Sequence, residues 1–337
     1  MIRVLVVDDS AFARKVLREA LSSSREIEVV DIARDGLEAL EKIAQLKPDV
    51  VTLDLVMPNL DGLGVLRALP RSGAPRVVVV SMSASDSELA MDALQLGAVD
   101  LVHKPTALAT DRLYELSAEL VRKVIAAAGA QPRLGATPVT VAPSLTVAPR
   151  TRLVVVGAST GGPQALTRLV TSLPADFPVP MALVLHIPAE YTGPFAERLD
   201  ASGPLDVVEA YDGIPLQPGR VVVARGGMHL KVARRDGRLV GALDLAPLGT
   251  PHRPAVDVLF KSAADIVGVG VLGVVLTGMG DDGLSGARDI RAAGGRTLTE
   301  AESSCVVYGM PRAVVEGGLS DGSADLGELT ALLMRSL

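Results

Sequence analysis

Ser159 stands inside Leu153–Leu166, LVVVGASTGGPQAL, where a β-branched apolar run gives way to small residues. Val154, Val155 and Val156 read as a buried strand, and Leu166 and Leu169 resume at helical spacing, so the segment predicts strand, sharp turn, helix. A serine at such a bend projects its hydroxyl from the carboxyl end of a strand, and the amides of the following helical turn point at any negative charge forming beside it. That is the setting of a nucleophile. The glycine spacing fits neither the G-x-G-x-x-G of a dinucleotide site nor the G-K-[ST] of a phosphate loop. Because G-x-S-x-G also arises by chance, the assignment needs partners elsewhere in the chain.

A serine nucleophile needs a base, and His186, His229 and His252 are the histidines of the second half. His186 directly follows the apolar run Met181–Leu185, the same topological address as Ser159, so the two can meet on one sheet edge. His229 falls in a predicted hairpin and His252 in a Pro-flanked loop, where either lines a pocket or lies on the surface. The acid that orients an imidazole has two candidates, Asp281 and Asp282, in the turn Thr277–Gly283 after the Val-rich run Val269–Leu276. Helix capping is the competing role for both. The resulting order, Ser159, His186, Asp282, differs from the Ser, Asp, His order of α/β-hydrolases, and no histidine follows Asp282.

A second constellation lies near the amino terminus. Asp8 and Asp9 follow one apolar run, Asp54 another, Ser81 a third and Lys104 a fourth. If all end at one sheet edge, three carboxylates, a hydroxyl and an ammonium share a crevice. Such crowding of like charge asks for a hard divalent cation with oxygen ligands, Mg²⁺ above all, and Lys104 would then pair with an added phosphoryl group.

The elements that must position these residues repeat along the chain. Ile2–Val7, Ile27–Ile32, Val50–Leu53, Val77–Val80 and Val99–Val102 read as strands alternating with helices, the last from about Asp111 to Ala127. Ser10 is a helix cap, and Phe12, Val16, Leu17 and Leu21 share one helical face. This predicts a doubly wound parallel sheet over 1–125. Residues 126–150 turn Pro- and Ala-rich and read as a semi-extended linker. Residues 151–337 predict a second, wider doubly wound sheet with an antiparallel element, a hairpin around Arg235-Asp236-Gly237.

At 337 residues, with 48% hydrophobic and 21% charged, the chain is globular and long enough for two cores. A net charge of −6 disfavours nucleic acid as a partner. The single cysteine, Cys305, excludes an internal disulfide and suits a reducing compartment, and its segment SSCVVYGM reads as buried and strand-like. The least charged stretch, Ile266–Gly280, is too short to span a bilayer. A cytoplasmic location and no membrane insertion are expected.

Residues 1 to about 125 resemble a two-component receiver domain of flavodoxin-like fold, through VVDDS, TLDLVMPNLDG, SMSAS and HKP. That resemblance implies Asp54 as phosphoacceptor, Asp8, Asp9 and Asp54 as Mg²⁺ ligands, Ser81 as switch hydroxyl and Lys104 as the phosphate-sensing lysine. Leu101 stands where many receivers carry an aromatic residue. Taken whole, through GASTGG, LHIP, HRPAVDVLF, LTGMGDDG and ESSCVVYGMP, the chain resembles the chemotaxis protein-glutamate methylesterases of the CheB family. The resemblance implies Ser159 as nucleophile, His186 as general base and acid, Asp282 as orienting carboxylate, and the Met279 amide with Thr160 at the oxyanion. It further implies an α/β serine hydrolase without an esterase cofactor, methylated chemoreceptors as substrate, deamidation of receptor glutamines beside ester hydrolysis, and a chemotaxis-type sensor histidine kinase as phosphodonor. In this reading the receiver covers the serine site until Asp54 is phosphorylated. Arg225 stands where many relatives have Pro. A response regulator whose output only binds a partner is the competing class.

Overall fold

The computed structural model describes residues 1–70, 73–81, 87–104, 110–129 (side chains from 117) and 151–337. Met82–Ser85, Pro105 and linker residues 130–150 lie outside the described residues. The chain divides into two compact units, one within Met1–Gln131 and one within Pro132–Leu337.

The first unit holds strands β1 (Ile2–Val7), β2 (Ile27–Ala33), β3 (Val50–Leu53), β4 (Arg76–Ser81) and β5 (Asp100–His103), in the parallel order β2-β1-β3-β4-β5. Helices α1 (Ala11–Ser22), α2 (Gly36–Leu46), α3 (Gly62–Ala68), α4 (Ser87–Gln95) and α5 (Thr110–Gly129) alternate with them. The strands are near-continuous apolar runs because helices cover both faces of such a sheet. Ser10 caps α1, its side chain accepting from the Ala13 amide. Phe12 departs from expectation: it is exposed, and the helix buries Leu17, Ala20 and Leu21 instead, because Phe12 sits in the first turn ahead of the packed stretch. Residues 126–129 also depart, since α5 continues through them and buries Ala126 and Ala127; the Ala-rich run is good helix rather than linker.

The second unit is built on a seven-stranded parallel sheet in the order β15-β14-β13-β6-β7-β10-β8. Its strands are β6 (Leu153–Ala158), β7 (Met181–Leu185), β8 (Asp206–Glu209), β10 (Arg220–Val223), β13 (Val271–Val275), β14 (Arg296–Glu300) and β15 (Gly322–Ala324). The antiparallel element forms a separate sheet, β11-β12-β9, from β9 (Ile214–Pro215) and the hairpin β11 (His229–Arg235) and β12 (Arg238–Asp244). Helices α6 (Gly162–Thr171), α7 (Ala189–Ser202), α8 (Val256–Val267), α9 (Leu284–Ala292), α10 (Met310–Glu316) and α11 (Leu326–Arg335) complete it.

The chain runs outward from β6 through β7 to one edge, then returns to β13 on the other side of β6. The carboxyl ends of β6 and β13 therefore flank a topological switch point, where open α/β sheets form their crevices. Helix α8 packs over this centre, with Val256, Leu259, Phe260 and Ala263 in one core with Val155, Val184 and Val275. Gly157 permits the approach: a Cβ there would lie 2.4 Å from a Val256 methyl carbon. The Cys305 segment is a third departure. Ser304 and Cys305 amides both return to the Ala301 carbonyl, so a turn and not a strand carries the buried thiol.

Candidate active site

Register places the serine and the histidine together. Ala158 pairs with Leu185 across β6 and β7, so Ser159 and His186 are the next residues off adjacent parallel strands. The His186 amide donates to the Ala158 carbonyl at 3.1 Å, and the Ser159 amide to the Thr277 carbonyl at 3.0 Å. The serine turn is thus tied to both neighbouring strand ends. Gly161 closes it at φ 78°, in the left-handed region that a residue with a Cβ rarely occupies, and opens α6.

His186 Nε2 lies 2.9 Å from Asp282 Oδ2. The same carboxylate accepts the Val256 amide on Oδ2 and the Asp257 amide on Oδ1, each at 2.8 Å, so Asp282 caps α8 rather than its own helix. Asp257 returns the favour to α9, its Oδ1 accepting from Gly283 at 2.9 Å and Gly286 at 2.7 Å. Burial by itself would raise the Asp282 carboxyl, but the His186 hydrogen bond and charge, with the two amides, hold it below the usual range. Asp281, the alternative acid, is exposed.

With Nε2 committed to Asp282, Nδ1 is the nitrogen left for the serine. It is buried and makes no hydrogen bond, so the serine and imidazole are neighbours not yet bonded. Catalytic hydrogen bonds commonly tighten only with substrate in place. His252 stacks on the imidazole, ring centroids 4.1 Å apart and 20° from parallel. His229 is elsewhere employed: fully buried, it accepts the Ala255 amide on Nδ1 at 3.2 Å and meets the Pro247 carbonyl through Nε2 at 3.1 Å.

Gly278 lies against the nucleophile, where an added Cβ would come 2.8 Å from Ser159 Cβ and 2.3 Å from Met310 Sδ. Its amide donates to the Val307 carbonyl, and its own carbonyl accepts from Gly309 and Met310. The next amide, that of Met279, is used in no hydrogen bond among the described residues. Thr160 is buried, its carbonyl accepting from Thr277 Oγ1 at 2.9 Å. Sequence reasoning missed Asp257, Gly278 and Glu300, a buried carboxylate at the end of β14 that accepts the Thr277 amide.

In the first unit, Asp8, Asp9 and Asp54 bring carboxylate oxygens within 4.8 Å of one another. Lys104 Nζ bridges Asp8 at 2.5 Å and Asp54 at 2.8 Å. Ser81 is buried at the end of β4, and its carbonyl accepts the Lys104 amide. Burial raises the Asp54 carboxyl above its ordinary range despite Lys104. An all-oxygen set of this compactness suits Mg²⁺, a hard cation that takes oxygen ligands from carboxylates, water and phosphate.

Residues 154–333 match the family described as CheB methylesterase, and residues 4–115 the response regulator receiver domain. The chain belongs to the CheB methylesterase family. A relative from Myxococcus xanthus, protein-glutamate methylesterase/protein-glutamine glutaminase 5, is 64% identical over 99% of this chain and 97% of its own length. One from Symbiobacterium thermophilum, bearing the same functional name, is 47% identical over 94% and 92%. The crystal structure of the Thermotoga maritima CheB methylesterase catalytic domain superposes with a TM-score of 0.54 at 37% identity, covering 56% of this chain and 99% of that one. The two large sheets are parallel and helix-covered, as expected for this CheB-family chain, and the small third sheet is the antiparallel element.

Proposed function

We propose that this chain is a phosphorylation-regulated protein-glutamate methylesterase and protein-glutamine glutaminase, acting through Ser159, His186 and Asp282. The observation that carries the assignment of roles is the placement of Ser159 and His186 on paired strand ends, with Asp282 hydrogen-bonded to the far nitrogen of the imidazole.

Ser159 Oγ attacks the γ-carbonyl carbon of a methylated glutamate while His186 Nδ1 takes the hydroxyl proton. Asp282 stabilises the imidazolium and fixes the tautomer with the proton on Nε2, the reverse of the nitrogen usage in the chymotrypsin-type triad. The unused Met279 amide supports the negative charge on the carbonyl oxygen, with Thr160 as the second contributor. The imidazolium then protonates the departing methoxide, leaving a seryl ester. Water attacks that ester as Nδ1 accepts its proton, the proton returns to Ser159, and the glutamate carboxylate leaves. A glutamine amide follows the same course with ammonia as leaving group. These steps use side chains and backbone alone, so the hydrolysis calls for no cofactor.

In the receiver unit Asp54 is the phosphoacceptor, Asp8, Asp9 and Asp54 would hold Mg²⁺, and Ser81 and Lys104 meet the phosphoryl oxygens. The bound ion would offset the charge that the phosphoryl group adds. Methylated chemoreceptors are the substrate and a chemotaxis-type histidine kinase the phosphodonor. The acidic net charge argues against nucleic acid as a partner. A cytoplasmic site of action is supported by a chain whose one cysteine is free and buried, and no helix among the described residues is long and apolar enough to cross a membrane.

The test is methanol release from methylated receptor membranes by the full chain, with and without a small phosphodonor and Mg²⁺. Ser159→Ala is expected to lose ~10⁴-fold or more in kcat. Asp54→Ala is expected to abolish the phosphodonor response. Release that persists in Ser159→Ala would refute the nucleophile, and a phosphodonor response that persists in Asp54→Ala would refute the phosphoacceptor.

A further inference from the structure

The turn that supplies the Met279 amide is held from behind by a carboxylate that takes no part in the chemistry described above. Glu300, the last residue of β14, is 0% exposed. Its Oε2 accepts the Thr277 amide at 2.8 Å and its Oε1 accepts the Ser304 hydroxyl at 2.9 Å. Among the described residues no ion pair reaches it, although Arg168 acts on it at longer range. Burial pushes the carboxyl above its ordinary range, and the Thr277 amide, the Ser304 hydroxyl and the neighbouring Cys305 thiol oppose that, so these contacts define what it does there.

Every polar group of Thr277 is committed as a result. The amide goes to Glu300, the carbonyl accepts the Ser159 amide, and Oγ1 donates to the Thr160 carbonyl while accepting from Val307 at 2.9 Å. The same residue therefore fixes the nucleophile, its neighbour and the start of the Gly278-Met279 turn. Remove the acceptor for its amide and the Leu276–Thr277 peptide keeps a buried donor with no partner, which favours a shift of the turn that follows. We infer that Glu300 is a positioning residue for the esterase, holding the Thr277 peptide so that the Met279 amide keeps its place beside Ser159.

A carboxyl that merely joined β14 to β13 would affect stability alone. A positioning role affects the transition state, where the oxyanion exists, and leaves the substrate complex nearly untouched. Gln at this position can reproduce both contacts, its oxygen accepting from Thr277 and its NH₂ donating to Ser304 Oγ. Asp keeps the carboxyl but withdraws it by one methylene, and Ala removes it.

The inference rests on the serine-esterase reading, so the assay carries its own controls on the full chain: wild type must release methanol from methylated receptor membranes and Ser159→Ala must not. Against these, Glu300→Asp and Glu300→Ala are expected to lower kcat ~10- to 100-fold with KM within about twofold, and Glu300→Gln to stay within about threefold of wild type. If Glu300→Ala fails to melt cooperatively, the contrast of Asp with Gln decides. Folded Asp or Ala variants with near wild-type kcat, a KM that rises as far as kcat falls, or a Gln variant as impaired as Asp would each overturn the inference. Inactive wild type, or methanol release independent of Ser159, would overturn the esterase reading itself.

Discussion

Asp282 does two jobs with one carboxylate, and the two separate experimentally. It orients His186 and it accepts both leading amides of α8. Loss of the negative charge removes the stabilisation of the imidazolium, and loss of an oxygen leaves a helix amide without its acceptor. Asp282→Asn is therefore expected to lower kcat ~10³- to 10⁴-fold and stability by about 1 kcal/mol. His186→Ala should match the activity loss with a much smaller change in melting, since both α8 amides keep their acceptors; equal melting shifts would show that the cap contributes nothing. At this scale the sequence was readable where a residue's address is set by its strand. Ser159 and His186 each follow an apolar run, and parallel strands place such positions side by side. Asp282 against Asp281 was not separable that way, because adjacent turn residues share an address and only the resemblance to relatives chose between them. Glu300 and Asp257 carried no local signal: a carboxylate buried by elements distant in sequence reads like any surface acid until the packing is known. His252 was legible only as a pocket-lining or surface histidine, since its stacking on His186 comes from a loop.

At the scale of elements, the site depends on where α8 begins. Three successive amides at its start are held by side chains from elsewhere, Ala255 by His229 and the next two by Asp282. The His229 contact requires a bare Nδ1, so protonation there would replace an acceptor with a second donor facing the Ala255 amide. Burial, chiefly, lowers its pKa from the ordinary 6.5. A histidine whose folded pKa is depressed gives stability that is fully present above the unfolded value and is lost as pH falls through the folded one. Melting temperature should accordingly fall as pH drops below about 6.5. His229→Phe, less stable at neutral pH, should show a shallower acid dependence; parallel curves for the two proteins would exclude His229 as the titrating group. Alternation of strands and helices was legible where a strand is an apolar run between turn residues, as in Val271–Val275, and not at β14 and β15, whose sequences RTLTE and GSA form no such run. The separate sheet of the hairpin was not, since β9 is only two residues, Ile214–Pro215, and joins β12 from a distance. The turn at Cys305 misread for a related reason: apolar residues buried by a loop mimic a strand when period alone is considered.

For the whole molecule, the proposed roles of the two units make opposite demands on metal, which lets regulation and catalysis be tested apart. The receiver unit gathers Asp8, Asp9 and Asp54 around Lys104, so phosphorylation of Asp54 would place a dianionic group beside two further carboxylates. Lys104 alone cannot balance that charge, and a divalent cation on the three carboxylates would. The mechanism proposed for the esterase unit draws its reacting groups from Ser159, His186, Asp282 and backbone amides. Chelation by excess EDTA should therefore abolish activation by a small phosphodonor and spare the unstimulated release of methanol; adding back Mg²⁺ should restore the response. Phosphorylation can shift activity only as far as the added group favours one state of the chain over another. Asp8→Asn, which weakens the cation site without touching Asp54, should raise the Mg²⁺ concentration needed for half-maximal activation by about tenfold or more, the effect expected for loss of a charged ligand. Methanol release that disappears with EDTA in the absence of phosphodonor would place a metal in the hydrolysis itself, and activation that survives EDTA would separate phosphorylation of Asp54 from the acidic cluster around it.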